Sequence, residues 1–129
     1  SRLSLILSAA AGAAGMVGGQ AADIAAGPKQ DINYINNLKT AKLFEASAMM
    51  GVTLAGYTEN NLEKAASYGI NLGRAFQLRD DLLDEESKNI NKTRREAAEF
   101  VDRAKKTIMD INGTQNLIRI ADYVIERNK

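Results

Sequence analysis

Five carboxylate side chains fall within the seven residues 80–86 (DDLLDEE), near the predicted end of a helix. Negative charge is unfavourable there, because the helix dipole is already negative at its C-terminal end. Asp80 and Asp84 are also like-charge neighbours four residues apart, which destabilises a helix by about 0.2–0.5 kcal/mol. A bridging cation would turn this repulsion into coordination, and hard oxygen ligands suit Mg²⁺ shared with a substrate phosphate. The alternative is an acidic helix end that is solvated.

A polar stripe leads along the same helix toward these acids. It consists of Gly73, Gln77, Asp80 and Asp84, whose spacings of four, three and four residues place them on one face. Leu72 and Phe76 belong to an apolar flank beside it. The stripe begins at a glycine, which leaves room for another group to lie close. These features weaken the case for a solvated helix end and leave a binding site open beside it.

Two further pairs of polar residues precede the acidic helix. Lys39 and Thr40 stand at the entrance of an apolar helix, where an ammonium group and free backbone N–H groups together favour an anion. Gln20 and Asp23 share one face of an Ala- and Gly-rich helix, and polar groups in such a setting need partners or water. The alternative interpretations are a surface lysine for the first pair and a hydrogen bond between helices for the second.

The periodicity of the chain predicts an all-α fold in a single domain, 1–129, because every long segment has a helical period and none alternates as a strand does. We expect helices over 4–26, 31–55, 58–86, 91–111 and 114–127. Thr58 is the expected N-cap of the third helix, and the turn at Asn112 and Gly113 predicts an antiparallel hairpin of the last two. The first helix is rich in Ala and Gly, and the second is nearly all apolar or small over 41–54, so we expect both to be buried.

Composition excludes several classes of chemistry. The 129 residues include 17 basic and 16 acidic side chains, which gives no argument for nucleic acid as a partner. Cysteine and histidine are both absent, which excludes disulfides, thiolate zinc sites and imidazole acid–base catalysis. The uncharged run 3–20 is short and rich in Ala, Gly and Ser, so we predict no membrane span. A cytoplasmic location is the corresponding expectation.

Three motifs in order resemble the trans-polyprenyl diphosphate synthases, the family of the farnesyl and geranylgeranyl diphosphate synthases. They are the segments 15–24 (GMVGGQAADI), 39–44 (KTAKLF) and 73–84 (GRAFQLRDDLLD). Residues 100–127 also resemble the closing helices of that family. The resemblance implies a helical bundle around a central cavity, incomplete in this chain, and a homodimer.

The resemblance also implies roles for the charged residues. Asp80, Asp81 and Asp84 match the second aspartate-rich motif, which holds Mg²⁺ against an allylic diphosphate. Lys39 matches a lysine that contacts that diphosphate directly. The implied reaction is ionisation of the allylic prenyl diphosphate, attack by the double bond of isopentenyl diphosphate, and loss of a proton. Metal ions and lysine would stabilise the charge on the departing diphosphate.

For the uncharged residues, the resemblance implies contacts with the reacting carbon skeleton. Thr40 and Gln77 match polar groups that line the site where the allylic cation forms. Phe76 matches an aromatic residue beside the isopentenyl diphosphate. Gln20 and Asp23 match positions that line the cavity. A dry apolar cavity would protect the cation from water.

Two departures from the family pattern stand out. The first aspartate-rich motif of the family, with its isopentenyl-binding basic residues, has no counterpart in this chain. After Asp84 the family continues with a Gly-Lys loop and a further helix, whereas here the closing helices follow almost at once, so the loop lysine is not assigned to Lys88 or Lys92. We therefore expect a C-terminal portion of the family domain with an internal gap.

Three hypotheses follow for the function. The first is a prenyltransferase that holds half of an active site in this chain and is inactive as the isolated 129 residues. The second is a non-catalytic small or regulatory subunit of a prenyl synthase. The third is an unrelated helical bundle with an acidic surface, for which no coupled binding of Mg²⁺ and prenyl diphosphate is expected.

Overall fold

A computed structural model describes residues 1–12, 16–26, 40–85 and 87–128. Its helices are α1 (Arg2–Ala11), α2 (Met16–Ala26), α3 (Lys42–Leu54), α4 (Glu59–Leu83), α5 (Ile90–Ile108) and α6 (Gln115–Glu126). These described ranges contain no strand, which confirms the predicted all-α fold. None of the helices within them combines the length and apolar character that a membrane span requires.

The predicted helix 4–26 was wrong in one respect, because it is divided into α1 and α2. Helix α1 ends at Gly12, whose extended backbone (ψ −165°) cannot continue the helix. Glycine loses more conformational freedom in a helix than any other residue, so a glycine-rich stretch is a natural place for the break. The N–H of Gly12 still donates to the carbonyl of Ser8 at 2.9 Å and satisfies the end of α1.

The helices predicted over 58–86, 91–111 and 114–127 are present as α4, α5 and α6, although α4 and α5 end three residues earlier than predicted. The part of the predicted helix 31–55 before residue 40 lies outside the described residues. The Thr58 hydroxyl accepts from the N–H of Asn61 at 3.4 Å, which confirms it as the N-cap of α4. Helix α4 ends at Leu83, and Glu85 then adopts a left-handed backbone (φ 59°) that turns the chain away. Gly113 has φ 82°, a conformation that glycine adopts without penalty, and it reverses the chain between α5 and α6 as the predicted hairpin requires.

Helix α4 is the centre of the fold and packs against α3, α5 and α6. The core lies on the side of α4 that faces α5 and α6. Its buried members are Tyr68, Leu72, Ala75, Val101, Ala104, Ile108, Ile111, Ala121 and Val124. On its other side α4 approaches the start of α3 closely, because Gly69 and Gly73 have no side chain there. A Cβ added at Gly73 would lie 2.7 Å from Cα of Ala41.

Helices α1 and α3 are less buried than their apolar sequences predict. In α3, Ala46 is buried, but Leu43 and Leu54 are exposed. In α1, Ala10 is the buried residue while Leu5 is 71% exposed. Within the described residues α3 packs against α4 and α1, and its apolar side chains outside those contacts, such as Leu43 and Leu54, meet solvent. A groove of about 420 Å³ lies between α1 and α3, lined by apolar side chains such as Ile6 and by Lys42.

Candidate functional site

The last turns of α4 carry the acids that the sequence singles out. Asp80 and Asp81 are half-buried, whereas Asp84 is exposed at the end of the helix. The N–H of Asp84 donates to the carbonyl of Asp80 at 2.9 Å, so the helical path continues through the acidic stretch despite the charges. The like charges are therefore held near one another by the backbone, and they need counter-charge or coordination to offset their repulsion.

A chain of hydrogen bonds joins Thr40 to this acidic helix end. The Thr40 hydroxyl donates to Oε1 of Gln77 at 3.0 Å, and Nε2 of Gln77 donates to Oδ1 of Asp81 at 3.4 Å. Thr40 and Ala41 form a π-helical turn just before α3, and such turns are frequent at functional sites. The sequence predicted Thr40 and Gln77 in one site, and the structure brings them together.

Gly73 explains how Thr40 reaches Gln77. The sequence suggested that this glycine leaves room for another group, and that room is taken by the backbone of Ala41. A side chain at position 73 would separate the two segments and move Thr40 away from the amide four residues further along α4. The glycine therefore positions the hydrogen-bond chain.

Asp80 is held by an arginine that the sequence analysis did not include. Nη2 of Arg127, just after α6, forms an ion pair with Oδ1 of Asp80, and the Arg127 side chain is only 14% exposed. The same guanidinium lies 4.2 Å from the centroid of the Phe76 ring. The contact spans 47 residues, so no local pattern predicts it. The sequence signal that could have indicated this contact was the cluster of carboxylates on α4, which calls for a cationic side chain from another element.

The polar stripe predicted on α4 is consequently divided into two rows. One row contains Gln77 and Asp81 and faces Thr40, and the other contains Phe76 and Asp80 and faces Arg127. Residues four apart share a face of a helix, which accounts for both pairings. Phe76 also contacts Phe44 of α3, with 5.3 Å between the ring centroids.

The remaining predicted site residues are Gln20, Asp23 and Lys39. Gln20 is exposed on α2 and does not join the hydrogen-bond chain of Thr40. Lys39 lies outside the described residues, and so does the side chain of Asp23.

The donor set on α4 fits a magnesium ion that is shared with a ligand. Among the described residues, no three carboxylates converge to form a metal site on their own. Mg²⁺ is usually held by one or two carboxylates, with water and substrate phosphates completing its shell. Asp80 and Asp84 supply hard oxygen donors one helical turn apart, which is compatible with that kind of coordination.

Comparison with known proteins identifies relatives of this chain. Residues 3–119 match the family model of the polyprenyl synthetases. A dimethylallyltranstransferase of Fischerella ambigua is 33% identical over 150 aligned positions, which cover 94% of this chain and 43% of the relative. A farnesyl diphosphate synthase of Bacillus subtilis is 41% identical over 89 positions, which cover 64% of this chain and 30% of the relative.

The solved structures show the same architecture. A crystal structure of an FPP/GFPP synthase from Zymomonas mobilis superposes with a TM-score of 0.84 at 29% identity, covering 95% of this chain and 50% of that one. The predicted isoprenoid-synthase-like fold is therefore confirmed. This chain spans about half the length of these relatives. The alignment with the Fischerella protein has 150 positions for a chain of 129 residues, so that relative contains residues this chain lacks, in agreement with the predicted internal gap. This chain belongs to the polyprenyl synthetase family.

Proposed function

We propose that this chain supplies the Mg²⁺–diphosphate part of a prenyltransferase site, which condenses isopentenyl diphosphate with an allylic prenyl diphosphate. The observation that carries the proposal is the pair of rows on α4. Gln77, Asp80 and Asp81 lie within two turns of this helix, and Thr40, in the turn before α3, donates a hydrogen bond to Gln77. Membership of the family supports the same class of reaction.

Asp80, Asp81 and Asp84 are the proposed metal-binding residues. Bound Mg²⁺ would neutralise the negative charge that builds up on the diphosphate as its bond to the allylic carbon breaks. The half-buried position of Asp80 and Asp81 strengthens their electrostatic effect relative to that of a fully solvated carboxylate. Lys39, just before Thr40 in the chain, is the proposed direct contact to the diphosphate.

Thr40 and Gln77 are the proposed residues beside the reacting carbon. Once the diphosphate leaves, the allylic carbon is positive, and the oxygen dipoles of the hydroxyl and the amide would stabilise it. Their mutual hydrogen bond fixes the amide so that its oxygen points toward Thr40 and its nitrogen toward Asp81. Phe76 is the proposed neighbour of the isopentenyl diphosphate, and Gln20 and Asp23 are proposed to line the cavity.

The proposal extends to the setting of the protein. We propose a homodimer in the cytoplasm, completed by family helices beyond those of this chain. The exposed apolar side chains of α1 and α2, such as Leu5, Val17 and Ile24, support additional protein on that side.

The test separates binding from turnover in the 129-residue chain. We expect inorganic pyrophosphate to bind in the presence of Mg²⁺ by calorimetry, and we expect no prenyl transfer, because half a site cannot enclose the reacting pair. Asp80→Ala should weaken Mg²⁺-dependent binding at least about tenfold, as losses around metal sites commonly do. It should leave the helical circular dichroism largely unchanged, because the loss of repulsion among the clustered acids offsets part of the loss of the Arg127 ion pair.

Two matched variants sharpen this test. Asp84→Ala removes an exposed acid of the cluster and should weaken binding without disturbing packing, whereas Asp102→Ala removes an exposed acid of α5 and should change nothing. Robust prenyl transfer by the isolated chain would refute the half-site proposal. Equal pyrophosphate affinity in Asp80→Ala and Asp102→Ala would refute the metal assignment.

A non-catalytic subunit of a prenyl synthase is the second candidate. The observation in its favour is the set of apolar side chains left exposed on α1 and α2, such as Leu5 and Val17, which a partner chain could cover. A subunit of this kind should copurify with a larger family member and alter its product distribution. If the acids of α4 contribute only to that association, Asp80→Ala should leave Mg²⁺–pyrophosphate binding by the isolated chain unaffected.

A further inference from the structure

Arg127 has an unusual set of contacts for a residue close to the end of the described chain. Its guanidinium pairs with the Asp80 carboxylate on one side and lies over the Phe76 ring on another. Its Nε is buried and, within the described structure, has no hydrogen-bond partner. An unpaired buried donor costs free energy, so this arginine is held by charge and stacking while part of its hydrogen-bonding capacity stays unused.

We propose that Arg127 is a positioning residue that occupies the metal side of Asp80 before the ligand arrives, and that Mg²⁺ and diphosphate displace it. This inference rests on the proposed function of Asp80 as a metal ligand. In the unliganded protein the guanidinium neutralises Asp80 and fixes its rotamer. When the cation takes the carboxylate, the guanidinium turns toward the incoming diphosphate.

Electrostatics gives the direction of this exchange. A guanidinium and a divalent cation on one carboxylate repel each other strongly at a half-buried position. The guanidinium of Arg127 must therefore move for Mg²⁺ to bind well. An arginine fork matches phosphate oxygens in geometry and charge, which gives the displaced side chain a new partner. The unused Nε–H of Arg127 can then also find an acceptor, which the Asp80 pair does not provide.

The backbone contacts of Arg127 allow the side chain to move alone. Nε and Nη2 of Arg79 donate to the Arg127 carbonyl at 3.2 and 2.7 Å, and the Arg127 N–H donates to the carbonyl of Tyr123 at 3.0 Å. The end of α6 therefore stays attached to α4 when the ion pair opens. The exchange needs a rotation of one side chain, which is fast compared with the unfolding of a helix end.

The test compares Mg²⁺ alone with Mg²⁺ plus inorganic pyrophosphate. In Arg127→Ala, Mg²⁺ alone should bind about tenfold tighter than in the wild type, because its competitor for Asp80 is gone. With pyrophosphate present the advantage should shrink or reverse, because the wild type gains an arginine–phosphate contact. Arg119→Ala is the matched control, since Arg119 is exposed on the same helix, and it should behave as the wild type.

A second measurement follows the Arg127 side chain itself, in the wild type and in Asp80→Asn. The Nε–H signal of Arg127 in the NMR spectrum should shift when Mg²⁺ and pyrophosphate are added together, because the group leaves the face of the Phe76 ring and acquires an acceptor. In Asp80→Asn the signal should already differ without ligand, since the ion pair is lost.

The outcomes distinguish this inference from the proposed function. If neither the wild type nor any variant binds Mg²⁺ with pyrophosphate, the metal assignment fails and the exchange fails with it. If the wild type binds and Asp80→Asn does not, but Arg127→Ala matches Arg119→Ala and the Nε–H signal stays in place, the exchange alone is overturned. An altered fold of Arg127→Ala leaves the NMR titration of the wild type to decide.

Discussion

Helix α5 and helix α1 show opposite relations between composition and burial. Helix α5 is strongly charged, yet it buries Ala97, Val101, Ala104 and Ile108 as one stripe against its neighbours. Helix α1 is apolar on most sides, yet Ala10 is its buried residue and Leu5 stays exposed. A helix becomes buried when a neighbouring surface packs against its apolar face. A high apolar content in the helix does not by itself provide that neighbouring surface. In this chain α4 supplies that surface to α5 and α6.

The exchange proposed for Arg127 lies at the edge of the packed core formed by α4, α5 and α6. The α4–α5–α6 core fixes the position of α6, and with it the position of Arg127 opposite Asp80. The α1 and α2 side has no comparable core within the described residues. Matched substitutions in the two regions should therefore have unequal effects on stability.

The largest difference is expected for truncation of an isoleucine. Ile108→Ala removes a side chain that is 2% exposed in the core, and we expect a loss of about 4 kcal/mol in the free energy of unfolding, because a cavity adds to the lost transfer energy. Ile24→Ala removes the same atoms from a side chain that is 76% exposed on α2 and should cost less than about 0.5 kcal/mol. Urea denaturation followed by circular dichroism gives both values. Equal losses would show that α2 is packed as firmly as the core.

A smaller difference is expected for addition of a methyl group to a glycine. In Gly69→Ala the new Cβ would lie 2.5 Å from the carbonyl oxygen of Phe44, a backbone atom that cannot turn away, so α3 must shift from α4 at a cost of about 2 kcal/mol. Gly51→Ala is the control on the open side of α3. Its new Cβ meets nothing within 4 Å, and alanine favours a helix by about 0.5–1 kcal/mol over glycine.

Thermal unfolding of the two glycine variants should therefore shift in opposite directions. Gly69→Ala should also weaken Mg²⁺-dependent pyrophosphate binding, because the same contact between helices positions Thr40 against Gln77. A stabilised Gly69→Ala would contradict the close approach of α3 and α4.

The sequence predicted the features that depend on neighbouring residues. The Thr58 cap, the Gly113 turn and the amphipathic stripe of α5 follow from local geometry, and all were found. The pairing of Thr40 with Gln77 was expected from the family motifs. Helical periodicity alone could not predict it, because periodicity does not show which residues of two helices meet. The ion pair of Arg127 was missed because it joins residues 47 apart and depends on where two helices end.

Other differences arose because the sequence does not identify the neighbour of an apolar face. The small residue Gly73 correctly indicated a close approach, but it could not show that the group approaching was the backbone of Ala41. The exposure of Leu5 and Leu54 likewise does not follow from the sequences of their own helices. An apolar helix face predicts burial, but the tertiary structure decides whether another part of this chain packs against that face.

The smallest difference is expected for loss of one polar contact from each region. The Tyr68 hydroxyl donates to the carbonyl of Leu117 at 2.7 Å, and the residue is 3% exposed between α4 and α6. Tyr68→Phe leaves that carbonyl without its donor and should cost about 1 kcal/mol. Arg2→Ala breaks an exposed ion pair with Glu59 and should cost no more than about 0.5 kcal/mol.

The pH dependence of the tyrosine variant distinguishes the buried contact from a general effect. Burial raises the pKa of Tyr68 from 10.0 to about 12. The unfolded chain releases this proton at the lower pH, so the folded state of the wild type loses stability as pH rises through that interval. Tyr68→Phe has no such proton, and its disadvantage relative to the wild type should shrink between those pH values, whereas the small effect of Arg2→Ala should not follow this change. A constant difference between wild type and Tyr68→Phe across the interval would place the hydroxyl in water and weaken the distinction between the two regions.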